Sequence, residues 1–420
     1  MLEYENYELA NGLKVVLHAD SSTPMLTVNV LYDVGSKDED ASKTGFAHLF
    51  EHLMFGGTPE IPDYDKIAQR AGASNNAFTS NDLTNYYISI PAINIETGIM
   101  LEADRMKGLL FSPSSLEVQR KVVIEEFKQR YLNKPYGDIW LELSPLSYMD
   151  HPYAWPTIGK EISHIEDATL EDVKAFFNKH YSPQNAVLCI AGNIDIKECK
   201  RMIDKWFSPI PSGEKYERNL PVERKQTEKR SLLLKRDVPQ DAINIVYHMP
   251  SRMENGYLAA DLISDYLGRG FSSVFYNRLV KGKKLFSQVN ASITGSMEPG
   301  LFSISGMLSQ GVSFEDAEKE INEIVKEIRE GKMNQSEIDR LLNKVESTYL
   351  FNEISHSNKA FSLAYFELLG DVSLINKEID SYRQLKEKDI VDFANNYLVE
   401  SNSSVLYYES NSLHNGVSNN

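Results

Sequence analysis

Two histidines four residues apart with a glutamate between them, His48-Leu49-Phe50-Glu51-His52, are the residues of this chain best suited to chemistry. In a helix, a spacing of four puts both imidazoles on one face, about 6 Å apart along the axis. Two nitrogens so placed suit a single Zn²⁺, which takes imidazole at about 2.0–2.1 Å. Glu51 flanks the same face, where a carboxylate can take a proton from water that zinc has acidified to a pKa of about 7. The order is H-x-x-E-H, the reverse of H-E-x-x-H. Leu49, Phe50, Leu53, Met54 and Phe55 surround the three polar residues. One histidine beside a glutamate on an apolar helix is ordinarily a hydrogen-bonded core or surface residue. Burying three ionisable groups without a partner would cost several kcal/mol, and a metal removes that cost.

A hydrolytic zinc site takes three protein ligands and keeps a position open for water. The stretch Val118 to Tyr131 offers Glu125 and Glu126 amid Val122, Val123, Ile124 and Phe127. Residue types alone do not choose between these two carboxylates. The remaining histidines (His18, His151, His164, His180, His248, His356 and His414) are scattered and read as ordinary core or surface residues.

The elements that must hold these groups recur in two halves. Tyr4 to Ala19 reads as two short strands joined at Asn11-Gly12, a hairpin dipeptide, and Met25 to Val34 as a strong strand. Ser231 to Arg236 and Ala242 to Met249 repeat that opening. Each half then has a helix ending in glycine, Gly45 to Phe55 and Tyr257 to Leu267, followed by a strand, Asn76 to Ser80 and Ser287 to Thr294. Later helices, Leu116 to Tyr131 and Gln335 to Phe351, correspond, and the closing strands are Ala186 to Gly192 and Ser404 to Tyr408. Residues from about Ile210 to Arg230 are rich in Pro, Gly, Lys and Glu without apolar periodicity, as a linker is. The expectation is an α+β protein of two homologous domains, 1–212 with the metal residues and 231–420 without them, joined by 213–230. Each would be a mainly antiparallel sheet with helices packed on one face.

The 420 residues are 42% hydrophobic and 25% charged, and carry a net charge of −16. That charge argues against nucleic acid or an anionic membrane as the main partner. Two cysteines, Cys189 and Cys199, are too few for a zinc finger or a disulfide framework. Met1 to Ala10 lacks a secretory pattern, and no apolar run approaches the roughly 20 residues a bilayer needs. These features point to the cytoplasm, or to the periplasm if a leader has been removed.

GFAHLFEHLMFGGT (Gly45 to Thr58), NAFTSNDLTNYY (Asn76 to Tyr87), VVIEEF (Val122 to Phe127), HPYAWPTIG (His151 to Gly159) and YSPQNAVLCIAGN (Tyr181 to Asn193) together resemble the inverted zinc peptidases related to pitrilysin, insulin-degrading enzyme and mitochondrial processing peptidase. The resemblance covers nearly the whole chain. It implies a processing-peptidase-like fold, one zinc per chain on His48 and His52, and Glu51 as general base. It also selects Glu126 over Glu125 as the distal zinc ligand. Asn76 and Ala77 then fall on the edge strand where an extended peptide substrate adds as a further strand.

Two departures stand out. Relatives often have a second glutamate seven residues before the distal ligand, where this chain has Gln119. Self-sufficient members also carry, in the second half, an Arg and a Tyr seven apart that grip the substrate carbonyl. Val280 and Ser287 occupy those places here, with Arg278 and Phe286 close by but wrongly spaced. The resemblance therefore implies the zinc-bearing subunit of a two-chain endopeptidase. A homologous chain would supply Arg and Tyr, as a heterodimer or, alternatively, a homodimer. Two other readings are a non-catalytic structural subunit of the same fold, against which the complete ligand set weighs, and a peptide-binding chaperone with a structural zinc, for which a fourth protein ligand is missing.

Overall fold

A computed structural model describes residues 1–411; His414 lies outside them. The strands of the first sheet are β1 (Glu5–Glu8), β2 (Lys14–Ala19), β3 (Met25–Tyr32), β4 (Ser74–Thr79), β5 (Thr84–Pro91) and β6 (Ala186–Gly192), in the spatial order β1-β2-β6-β3-β5-β4. The second sheet holds β7 (Arg230–Arg236), β8 (Ala242–His248), β9 (Phe286–Ile293), β10 (Leu301–Leu308) and β11 (Ser403–Ser410), in the order β7-β11-β8-β10-β9. Without β1, the two orders are the same. In each sheet the last strand of the half inserts between two early ones: β6 is parallel to β2 and antiparallel to β3, and β11 is parallel to β7 and antiparallel to β8. All other pairings are antiparallel. This is the expected α+β pair of homologous sheets.

The sequence explains the strands. Asn11-Gly12 turns β1 into β2, with Gly12 at φ +87° and the Asn11 amide donating to the Phe207 and Ile210 carbonyls. Every residue of β6, AVLCIAG, is buried, as suits a central strand covered on both faces. Asn29 of β3 and Asn85 of β5 exchange amide hydrogen bonds at 2.9 Å, which ties the register of these neighbours.

The helices used below are α1 (Phe46–Leu53), α2 (Ile95–Lys107), α3 (Pro113–Phe127), α4 (Ile139–Ser147), α5 (Tyr257–Gly268) and α6 (His356–Leu368). Alternation along β2 and β6 divides the first core. Val15, Leu17, Leu188 and Ile190 face Phe46, Leu49, Phe50, Ile99 and Val123 of α1, α2 and α3. Val16, Val187, Cys189 and Ala191 face the other way, against Ala360, Leu363, Ala364 and Phe366 of α6. The second sheet is built alike: α5 lies on one face and Leu143 of α4 packs on the other with Val246 and Leu406.

The compact units therefore cross the halves of the chain. Among the described residues, one comprises Met1–Gln129, Trp155–Pro221 and Thr348–Glu378, the other Arg130–Ala154, Val222–Ser347 and residues 379–411. Each half lends a helix to cover the second face of the other half's sheet. Helices on one face were expected; the covering of the opposite face is what the structure adds.

His180, the last residue of the helix Leu170–His180, is fully buried in the first unit, 4.6 Å from the Tyr216 ring, and neither ring nitrogen has a hydrogen-bond partner. Burial foremost, then Lys179 and Arg218, pushes its pKa down to about 3 from an ordinary 6.5. Below pH 6.5 the unfolded chain takes up a proton that the folded chain refuses, so stability is lost as pH falls from 6.5 towards 3. Between pH 7 and 5 this group costs about 2 kcal/mol. His180→Phe, which strands no polar partner, is expected to remove that much of the pH dependence of urea unfolding. An unchanged profile would contradict it.

Candidate metal centre

Helix α1 starts behind Gly45, whose φ is +87°. A side chain there would bring Cβ to 2.6 Å from the Ile158 carbonyl oxygen, so only glycine fits. Leu49, Phe50 and Leu53 lock the helix into the core, with Phe50 packed on Phe176 and Tyr181 at ring distances of 5.0 and 5.1 Å. That burial aims His48, Glu51 and His52 the other way. Helix α3 begins at Pro113 after Ser112, whose side chain accepts from the Ser115 N–H. Its Leu116, Val123 and Phe127 are buried.

Glu126 of α3 meets both histidines. Its Oε2 lies 3.7 Å from His48 Nε2 and 3.4 Å from His52 Nε2, and the three potential ligand atoms all fall within 4.8 Å of one another. Ligands about 2.1 Å from a tetrahedral zinc sit about 3.4 Å apart, so this donor set fits the ion. Two imidazole nitrogens and one carboxylate oxygen also suit a site with a position left for water. Glu125 points elsewhere: it is 61% exposed and pairs with Lys128 at 2.9 Å. Among the described residues no other group of three His, Cys, Asp or Glu converges in this way. Gln119, half-buried, stands seven residues before Glu126 on the same helix.

Glu51 is held from β4. Thr79 Oγ1 donates to Glu51 Oε2 at 2.7 Å. Thr79 ends the strand that carries Asn76 and Ala77, whose partners on β5 are Tyr87 and Tyr86. β4 is an edge strand, paired on one side only within its sheet. Asn76 is exposed, and its Oδ1 accepts the Ala77 N–H at 2.9 Å. Behind the site, the Arg105 guanidinium is buried against Glu102 and lies 4.5 Å from the centre of the Tyr86 ring. Thr79 and Arg105 are groups that spacing alone did not single out. Thr79 sits within a motif already of interest, and no local signal marks Arg105.

Two family models match the chain in tandem: insulinase (peptidase family M16) over residues 14–135, and the peptidase M16 inactive domain over residues 167–345. The chain belongs to peptidase family M16. Among its M16 relatives is the zinc protease PqqE of Helicobacter pylori, 29% identical over 413 residues, covering 96% of this chain and 92% of that protein. The crystal structure of a protease from Helicobacter pylori, also 29% identical, superposes with a TM-score of 0.91 over 97% of this chain and all of that one. The β subunit of the mitochondrial processing peptidase of Saccharomyces cerevisiae is 28% identical over 210 residues, covering 49% of this chain and 45% of that subunit.

The M16 duplication shows what the second unit lacks. Helix α5 also starts behind a glycine, Gly256 at φ +97°. At the positions of His48, Glu51 and His52 it carries Ala259, Leu262 and Ile263, all buried in that unit's core. Val280 sits half-buried in a wide helical turn, Tyr276–Gly282, and Ser287 on β9 donates to Gln240 Oε1 at 3.1 Å. Arg278 pairs with Glu327 at 2.5 Å, and Phe286 is in the core. No helix among the described residues is long and apolar enough to cross a membrane.

Proposed function

We propose that this M16 chain is a zinc endopeptidase that cleaves extended peptides or unfolded segments laid against β4. The observation that carries this reading is the convergence of His48, His52 and Glu126 beside Glu51. These three residues would hold one zinc per chain. Zinc bound there supplies Lewis-acid chemistry, acidifying water and polarising a carbonyl. Glu51, fixed by Thr79, takes the proton of the attacking water and passes it to the leaving amine. Asn76 and Ala77 offer an incoming strand the open backbone edge of β4, which favours unfolded substrates over compact ones.

Residues 1–212 carry this chemistry, and the part 231–420, outside the candidate ligands, overlaps the match to the inactive domain. That overlap lies away from His48, Glu51, His52 and Glu126, so it does not favour a non-catalytic role for the whole chain. The missing Arg and Tyr support a homologous partner subunit. Cys189 and Cys199, free and buried, support a reducing compartment such as the cytoplasm.

Metal removal tests the reading. A chelated, dialysed chain is expected to lose hydrolysis of a quenched fluorescent peptide, and one equivalent of Zn²⁺ per chain to restore it. Undiminished cleavage by metal-free protein would overturn the proposal.

A further inference from the structure

Helix α1 is capped in an unusual way. Ser, Thr, Asp or Asn at the N-cap commonly receives the orphan N–H groups of a first turn. Gly45 has no side chain to do so, and the Ile158 carbonyl forbids one. Glu39, six residues upstream, supplies the acceptors: Oε2 takes the Gly45 N–H at 2.9 Å and Oε1 the Ala47 N–H at 2.8 Å. Trp155 Nε1 donates to Oε2 as well, at 3.1 Å. Glu39 is only 8% exposed. A buried carboxylate is a costly cap, since a hydroxyl satisfies an ordinary one.

What Glu39 adds is a connection. The Ser36 and Lys37 N–H groups donate to the Ser80 and Asn81 carbonyls, in the turn that follows β4, at 3.2 and 3.0 Å. Lys37 Nζ meets Asp82 at 2.8 Å, both buried, and the Asn81 amide donates to Ser36 Oγ. Arg218 clamps Asp38 at 2.7 Å and Asp33 at 2.9 Å. The segment 35–39 is thus bonded on one side to the end of the edge strand and on the other to the first turn of α1.

We infer that Glu39 is a positioning residue for the metal centre, setting His48 against Glu126 and β4 through the backbone of α1. The inference rests on the reading of His48, His52 and Glu126 as zinc ligands. Its physical content is selective. His48 follows Ala47 directly, inside the turn that Glu39 holds, whereas His52 lies one turn on, where Leu49, Phe50 and Leu53 fix the helix by packing. Removing Glu39 takes two hydrogen bonds from the first turn, leaves it held by the packing of Phe46, and loosens one ligand of three.

The test measures Zn²⁺ affinity of the full chain by chelator competition, together with the visible spectrum of the Co²⁺ form. Glu39→Ala is expected to weaken zinc roughly 10–100-fold, the usual effect of losing a group that orients a ligand, and to alter the Co²⁺ spectrum. Leu363→Ala, a cavity on the far face of the sheet, controls for general destabilisation and is expected to leave affinity within about twofold. Glu39→Gln keeps one acceptor oxygen and turns its amide towards an N–H, so it is expected to fall between wild type and Glu39→Ala. It decides by the same criterion if Glu39→Ala does not fold. Wild-type affinity in the Glu39 variants overturns the inference, and so does an equal loss in Leu363→Ala. A wild-type chain that binds no zinc removes the metal reading as well, which is a different and separately visible result.

Discussion

Glu51→Gln is expected to bind zinc as tightly as the parent chain and to hydrolyse peptides roughly 10²–10⁴ times more slowly, the range for losing a general base. The geometry separates the two properties. Glu51 is not one of the three groups whose ligand atoms converge; its Oε2 instead accepts from Thr79 at 2.7 Å. Glutamine has the same shape and keeps a carbonyl oxygen for that hydrogen bond, so α1 and β4 stay in place. It cannot take a proton at neutral pH. Glu126→Gln should behave in the opposite sense, weakening metal binding because a charged carboxylate oxygen of the converging donor set becomes a neutral amide oxygen. Metal content by elemental analysis beside kcat and KM on a fluorogenic peptide distinguishes the outcomes. Full activity in a zinc-loaded Glu51→Gln chain would sink the general-base role. Loss of metal in that variant would make Glu51 a ligand instead.

Much of this arrangement was legible because its signals are local. The i, i+4 histidines announce a shared helix face, and α1 spans Phe46–Leu53 within the expected Gly45 to Phe55. The strand expected over Met25 to Val34 is β3, which ends two residues earlier at Tyr32, and the Asn-Gly dipeptide located the turn between β1 and β2. Helix α3 was expected from Leu116 but starts at Pro113, because Ser112 caps it and proline is favoured in the first turn. Beyond Phe127 the chain widens into a π-helical turn over Lys128–Leu132, which no residue type there foretells.

What stayed hidden is set by distant contacts. An apolar helix such as α6 declares that it will be buried, but nothing in HSNKAFSLAYFEL says which sheet it covers. Nor does the order of strands reveal that β6 inserts between β2 and β3, and β11 between β7 and β8. Glu39 shows the same limit at the site. In sequence it is one acid in an acidic loop, and only the fold brings it to the Gly45 and Ala47 N–H groups. Glu125 and Glu126 were indistinguishable by type; the burial of Val123 and Phe127 orients α3 so that Glu126 faces the histidines while Glu125 reaches Lys128.

The purified chain alone is expected to cleave peptides about 10²–10³ times more slowly than the same chain saturated with a homologous subunit that carries the Arg and Tyr, the usual worth of a donor to the developing oxyanion. The deficit is written in the second unit. Val280 and Ser287 offer no cation and no phenol, Arg278 is committed to Glu327, and Phe286 is buried in the core. A shift of register would not repair this, because moving Arg278 outward breaks its ion pair and moving Phe286 outward empties a core position. The loss should appear in kcat with zinc affinity unchanged, since the three converging residues all belong to the first unit. Titrating the partner into the chain should raise activity to a plateau at one equivalent, and a partner with its Arg and Tyr replaced by Val and Ser should bind without activating. A lone chain already at the plateau rate would refute the two-chain reading. It would also mean that zinc and Glu51 suffice here without a second group on the carbonyl.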